Sequence, residues 1–79
     1  MLTINELKTL INAGAFKDPE ASKNDVGEWG LTVSILKNDK WIVVGYKAVH
    51  KDGLRVFKSL ESLCKTVKSL GCKNFVINL

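Results

Sequence analysis

Several residue types that carry enzyme chemistry are scarce in this sequence of 79 residues. There is one histidine, His50, and it stands alone beside a turn. Catalysis by histidine needs an orienting partner and usually a nucleophile at hand, and the local sequence supplies neither. Two cysteines, Cys64 and Cys72, do not make a disulfide framework. Eight residues of mostly helical chain hold their Cα atoms roughly 10 Å apart, beyond disulfide reach. Both read as reduced thiols, as expected in the cytoplasm. Together with His50 they match no metal-ligand spacing. Gly27 and Gly30 flank the start of a strand, so no glycine-rich phosphate loop precedes a helix. No carboxylates are paired for acid–base work. The expectation is a protein that is not an enzyme, with no catalytic, cofactor or metal site.

Other scarcities bound the class. Proline occurs once, at Pro19, and arginine once, at Arg55. Specific base reading in DNA relies heavily on bidentate arginine, so arginine poverty counts against it. No apolar run is long enough to span a bilayer, and no charged-then-apolar signal segment opens the chain. No repeat or low-complexity stretch is visible. The hydrophobic fraction of 46% and charged fraction of 25% are ordinary globular values. One small domain is expected, of a size at which dimerisation helps to cover a sheet.

The net charge of +4 is unevenly placed. Residues 1–36 carry a net −2, and residues 37–79 a net +6. Such an asymmetry admits an acidic protein or a nucleic acid as partner, although +4 is also an ordinary solubility charge.

The chain then reads as alternating elements. Thr3 with Glu6 three residues later forms a capping box for a helix over about Ile4 to Ala13. Ile4, Leu7, Leu10 and Ile11 share its apolar face, and Gly14 ends it. The polar stretch Lys17 to Glu28, which holds Pro19, lacks periodicity and is expected to be a loop. Trp29 to Leu36 and Trp41 to Val49 read as strands joined by a type I′ turn at Asn38-Asp39. That register pairs Ile35 with Ile42, Val33 with Val44, Leu31 with Tyr46 and Trp29 with Ala48, all on the core face. A second type I′ turn at Asp52-Gly53 leads into a strand Leu54 to Phe57, pairing Phe57 with Ala48. Ser59 caps a helix over about Leu60 to Leu70, with the apolar stripe Leu60, Leu63, Cys64, Val67 and Leu70. Gly71 stops it, and Asn74 to Leu79 forms a last strand. The predicted fold is α+β, in the order α-β-β-β-α-β: one mostly antiparallel sheet with both helices on one face.

The other hairpin face is the candidate binding surface. It carries Leu36, Trp41 and Val43, with Lys37 and Lys40 expected to flank them and Lys47 further along. An exposed tryptophan ringed by lysines can anchor a protein interface or a homodimer seam, or stack on an unpaired base. Lys58, Lys65, Lys68 and Lys73 lie outside the apolar stripe of the second helix and form a candidate nucleic-acid strip. As a plain solvated face they need no partner at all.

Two segments carry a family resemblance. The opening run Leu2-Thr3-Ile4-Asn5-Glu6-Leu7-Lys8-Thr9-Leu10-Ile11-Asn12-Ala13-Gly14-Ala15 resembles the start of small plasmid-borne ParC-type partition-associated proteins. The segments Arg55 to Leu63 and Leu70 to Ile77 are similar to their C-terminal part: a basic residue, an apolar pair, a Ser-capped helix, then Leu-Gly and a short strand. The resemblance covers about half the chain. It implies a non-enzymatic accessory protein of plasmid partition or maintenance, acting beside a partition ATPase or a centromere-binding protein. It brings no catalytic residues. A small basic nucleic-acid-binding module, and a mobile-element inhibitor of a host defence complex, are the alternative readings.

Overall fold

The computed structural model describes residues 1–51 and 53–78. Its elements are α1 (Ile4–Asn12), β1 (Phe16–Lys23), β2 (Trp29–Lys37), β3 (Lys40–Gly45), β4 (Val56–Phe57), α2 (Leu60–Ser69) and β5 (Val76–Asn78). The expected α+β architecture is what the chain adopts: two helices and one mostly antiparallel five-stranded sheet.

Both helices are set by their caps. The Glu6 carboxylate accepts hydrogen bonds from the Thr3 amide at 3.1 Å and the Thr3 hydroxyl at 3.0 Å. Those bonds hold the Glu6 pKa below the ordinary carboxylate range, with a smaller contribution from the Lys47 charge. The Ser59 hydroxyl accepts from the Ser62 amide at 3.2 Å. Gly14 and Gly71 take positive φ just past the two helix ends, as the left-handed stop requires.

The sheet order is β3-β2-β1-β5, with β4 continuing along the β3 side of β2. Among the described strands β1 and β5 are the pair that run parallel, and α2 lies in the chain between them. The β2–β3 register agrees with the sequence reading, pairing Ile35 with Ile42 and Val33 with Val44. Asn38 and Asp39 both take positive φ, as a type I′ turn demands.

Three expectations are corrected. Lys17 to Glu28 is not one loop. Phe16–Lys23 is a strand, and Asn24 to Glu28 is the turn that joins it to β2. The Asn24 carboxamide oxygen holds that turn by accepting from the Val26 and Glu28 amides. β1 escapes a period-two reading because it contains a bulge. Phe16 and Lys17 pair with Ile35 and Ser34, but Glu20 pairs with Thr32, so Asp18 and Pro19 together oppose Val33. Asp18 takes φ +52°, a conformation that aspartate tolerates better than most residues. The extra residue restores the alternation: Pro19 and Ala21 are buried, while Lys17 and Ser22 are exposed.

Second, the strand expected over Trp41 to Val49 ends at Gly45. Leu2 bridges to Tyr46 on the far side of β3, and beyond this point β4 replaces β3 beside β2. Third, and in consequence, Trp29 pairs with Phe57, and neither of them with Ala48. Of the predicted Asp52-Gly53 turn, Asp52 lies outside the described residues, as does Leu79 of the last strand.

One core joins the layers. Leu7 of α1, Leu63 and Val67 of α2, and Leu70 just past α2 meet Trp29, Leu31, Val33 and Ile35 of β2, with Ala21, Tyr46 and Phe57. Tyr46 and Phe57 stack at 6.2 Å between centroids. Leu7, Leu31 and Leu63 are fully buried, each contributing about 1.5–3 kcal/mol of burial free energy. Cys64 and Cys72 are half-buried free thiols, and burial pushes the Cys72 thiol pKa up.

Candidate functional site

With both helices on one face of the sheet, strand alternation assigns the opposite face residue by residue. The hairpin tip row holds Leu36 and Trp41, paired across β2 and β3. The next row is Lys17, Ser34 and Val43, and the one after it Val76, Glu20, Thr32 and Gly45. The last row holds Asn78, Ser22, Gly30 and Val56. This face is open. Trp41 is 42% exposed, Val43 72%, and Val76 and Val56 about half. The total accessible surface is 5372 Å². A folded chain of this mass typically exposes about 4,800 Å², so this one is more exposed than its size requires.

Leu54 lies across this face. A β-carbon built on Gly30 would stand 2.6 Å from one Leu54 methyl, and one on Gly45 would stand 2.5 Å from the other. The two glycines therefore form a notch that seats Leu54 on the sheet, next to Met1 over Gly45. At the far edge the Asn78 carboxamide donates to the Glu20 carboxylate and to the Ser22 hydroxyl. The centre of the face, from Trp41 to Leu54, thus carries apolar and small residues. Lys17 and Glu20 are its strand-borne charges.

The structure distributes the sequence-predicted residues unevenly. Leu36, Trp41 and Val43 share the open face as expected. Lys37 and Lys40 pair with each other, but alternation turns their side chains to the helix side, beyond Ile35 and Ile42. Lys47 lies past the end of β3, where its amide donates to Leu2 and its charge acts on Glu6. The cation at Trp41 is instead Lys17, whose ammonium sits 4.1 Å from the ring centroid. Sequence reasoning missed Lys17 because it placed that residue in a loop. The usable signal was Asn24 followed by Gly27, a turn that implies a strand before it. Lys65 and Lys68 are exposed on α2, on the far side of the sheet from Trp41, with Lys58 and Lys73 exposed on its two flanks.

The described residues hold no group of three His, Cys, Asp or Glu placed to bind a metal ion. His50 is exposed in a turn. Shallow depressions of about 300 Å³ (Ala48, Lys51, Gly53, Leu54, Arg55 and Val56) and about 280 Å³ (Asp18, Pro19, Asn74, Phe75 and Val76) bring no nucleophile and base together. No helix among the described residues is long and apolar enough to cross a membrane.

Fold and site together define a two-layer α+β chain whose second sheet face, away from the helices, carries an exposed apolar cluster at the hairpin tip. The chain matches no protein-family model, no curated protein and no solved structure.

Proposed function

We propose that this chain is a non-enzymatic binding module that takes a protein surface on its open sheet face. The observation that carries the reading is the joint exposure of Trp41, Leu36, Val43 and Val56 on a face that, among the described residues, neither helix covers. A contiguous apolar patch rimmed by polar groups is the usual mark of a protein contact, and tryptophan is favoured at the energetic centre of such contacts. The terminal resemblance to ParC-type partition-associated proteins supports plasmid partition or maintenance in the cytoplasm as the setting. A partition ATPase or a centromere-binding protein is then the first partner to try. Truncating a central interface tryptophan costs about 2 kcal/mol or more, so Trp41→Ala should weaken capture at least ~30-fold. The check is a pull-down and calorimetry with folded wild type and variant side by side. Equal retention of the same partner by both would remove Trp41 from the interface.

A second reading rests on Lys17 over Trp41. A cation beside an exposed aromatic on a sheet suits an unpaired base and its phosphate. It predicts binding to single strands that weakens steeply with salt, because neutralised phosphates release counterions. The helix-side lysines add nothing to this face, which ranks the reading below the protein contact.

A further inference from the structure

β3 is an edge strand with an unusual composition. Trp41, Ile42 and Val43 follow one another without a charge, and all three are exposed. Trp41 and Val43 face the open side, while Ile42, at 39% exposure, faces the helix side at the rim of the core. An edge whose apolar residues are uncovered on both faces is a template for another strand.

The backbone defines where that strand fits. In an antiparallel ladder the N–H and C=O of successive residues point alternately to one neighbour and the other. The Tyr46 amide donates inward to Leu31 at 2.9 Å, and the Gly45 carbonyl accepts outward from the Leu2 amide at 2.9 Å. Alternation from those two bonds turns Lys40, Ile42 and Val44 toward β2, and Trp41, Val43 and Gly45 away from it. Leu2 occupies the outward carbonyl of Gly45. The open ladder is therefore the stretch Lys40 to Val44, whose outward groups belong to Trp41 and Val43, and whose centre is Ile42.

We infer that the occupant of this edge is a second copy of the chain, its β3 paired antiparallel about a two-fold axis at Ile42. In that register Trp41 of each copy exchanges two hydrogen bonds with Val43 of the other, so all four outward groups of each chain are used. Ile42 meets its own counterpart on the helix side. Trp41 meets Val43 on the open side, an apolar pairing of the kind that stabilises sheets. Lys40 falls opposite Val44, which keeps the two lysines from facing one another. Asp39 at each hairpin tip is carried toward the Leu2–Lys47 end of the other copy, so acid approaches base. A two-fold centred on Val43 would instead set Trp41 against Gly45, whose carbonyl Leu2 already holds. The result is a continuous ten-stranded sheet with two open faces side by side, whatever those faces bind. Five residues per chain make a small interface, so the association is weak.

The test is sedimentation of the wild-type chain from roughly 10 μM to 1 mM, the range suited to an interface of this size, with hydrogen exchange by NMR at both ends. The mass should rise from 8.8 kDa toward twice that value. The Trp41 and Val43 amides should gain at least ~10-fold protection with concentration, while those of Ile42 and Val44 are protected throughout. Ile42→Lys, an inward charge on the edge that leaves the open face untouched, should abolish both effects. Val43→Pro, which removes an outward donor and no β2 bond, should do the same. Leu36→Ser alters the open face and leaves the edge free, so it should dimerise like wild type. A dimer that survives Ile42→Lys but not Leu36→Ser would place self-association on the open face and overturn the inference. So would Trp41 and Val43 amides that stay unprotected at every concentration, a result that leaves the partner reading of the open face standing.

Discussion

Deleting one residue from a strand normally turns every later side chain to the wrong face. Asp18 is predicted to be an exception. It is the extra residue of the β1 bulge, and its φ of +52° carries a left-handed penalty of about 1 kcal/mol. Without it, Pro19 opposes Val33 directly, and Glu20, Ala21 and Ser22 keep their present partners Thr32, Leu31 and Gly30. Pro19 would stand at a position whose amide points away from β2, so its missing N–H costs no bond to that strand. Removal of Asp18 should therefore leave stability within about 1 kcal/mol of the parent. Removal of Glu20, two residues on, should behave differently. If the bulge persists, Ala21 turns outward and the Ser22 hydroxyl enters the core against Leu31. A buried unpaired hydroxyl costs about 1–3 kcal/mol, before the lost packing is added. If the bulge is absorbed instead, Asp18 takes the buried place of Pro19, which is worse, and Pro19 sits opposite Thr32 where a ladder bond is lost. Either route costs about 3 kcal/mol or more, a large part of the roughly 4–12 kcal/mol that a domain of this size commands. Urea unfolding followed by the emission of buried Trp29 separates the cases, since 3 kcal/mol moves the midpoint by about 2–3 M. Equal destabilisation by the two deletions would refute the bulge argument.

Asp39 holds φ +62° in the type I′ turn, so Asp39→Gly should stabilise the fold by about 0.5–1 kcal/mol, read as a rise in Tm of roughly 3–6 °C. The Glu6 pKa is depressed in the folded state by its bonds to Thr3, so the stability it contributes is present above the ordinary carboxylate range. That contribution is lost as pH falls through the folded value. An NMR titration should find Glu6 below the ordinary carboxylate range, and Glu6→Gln should flatten the acid limb of the stability curve. Loss of the Lys17 cation should alter the emission of the exposed Trp41, so Lys17→Met should change the spectrum while leaving buried Trp29 as it is.

Most of the scaffold was legible because local rules and global packing agree there. The Thr3–Glu6 box, the Ser59 cap, the two glycine stops and the Asn38-Asp39 turn each sit where the apolar pattern needs them. β1 was not legible. Its inward positions hold Phe16, Pro19, Ala21 and Lys23, and the bulge breaks the period at the proline. Its place in the sheet comes from β2 on one side and β5 on the other, which no local pattern encodes. The hand-over from β3 to β4 was hidden for a similar reason, because the residues that take over beside Trp29 and Gly30 are Phe57 and Val56, well along the chain, and no local pattern encodes that pairing. At the candidate site, Leu36, Trp41 and Val43 follow from the hairpin register alone. Lys17 could be found only with β1, and Leu54 only with the notch that Gly30 and Gly45 make together.

The parallel pairing of β1 with β5 has a consequence for synthesis. Asn78 reaches back to Glu20 across 58 positions of the chain. At typical ribosomal speeds that interval lasts about 3–12 s, far longer than a hairpin takes to form. The β1–β2–β3 meander is contiguous in the chain and can pair before β5 docks, and one side of β1 then stands bare. What guards that side meanwhile is Lys17, the bent Asp18-Pro19 step and Lys23, charges and a proline of the kind that discourage stray strand pairing. The irregularity that hid β1 from a pattern reading thus serves the nascent chain as a temporary shield, until β5 arrives to take its place.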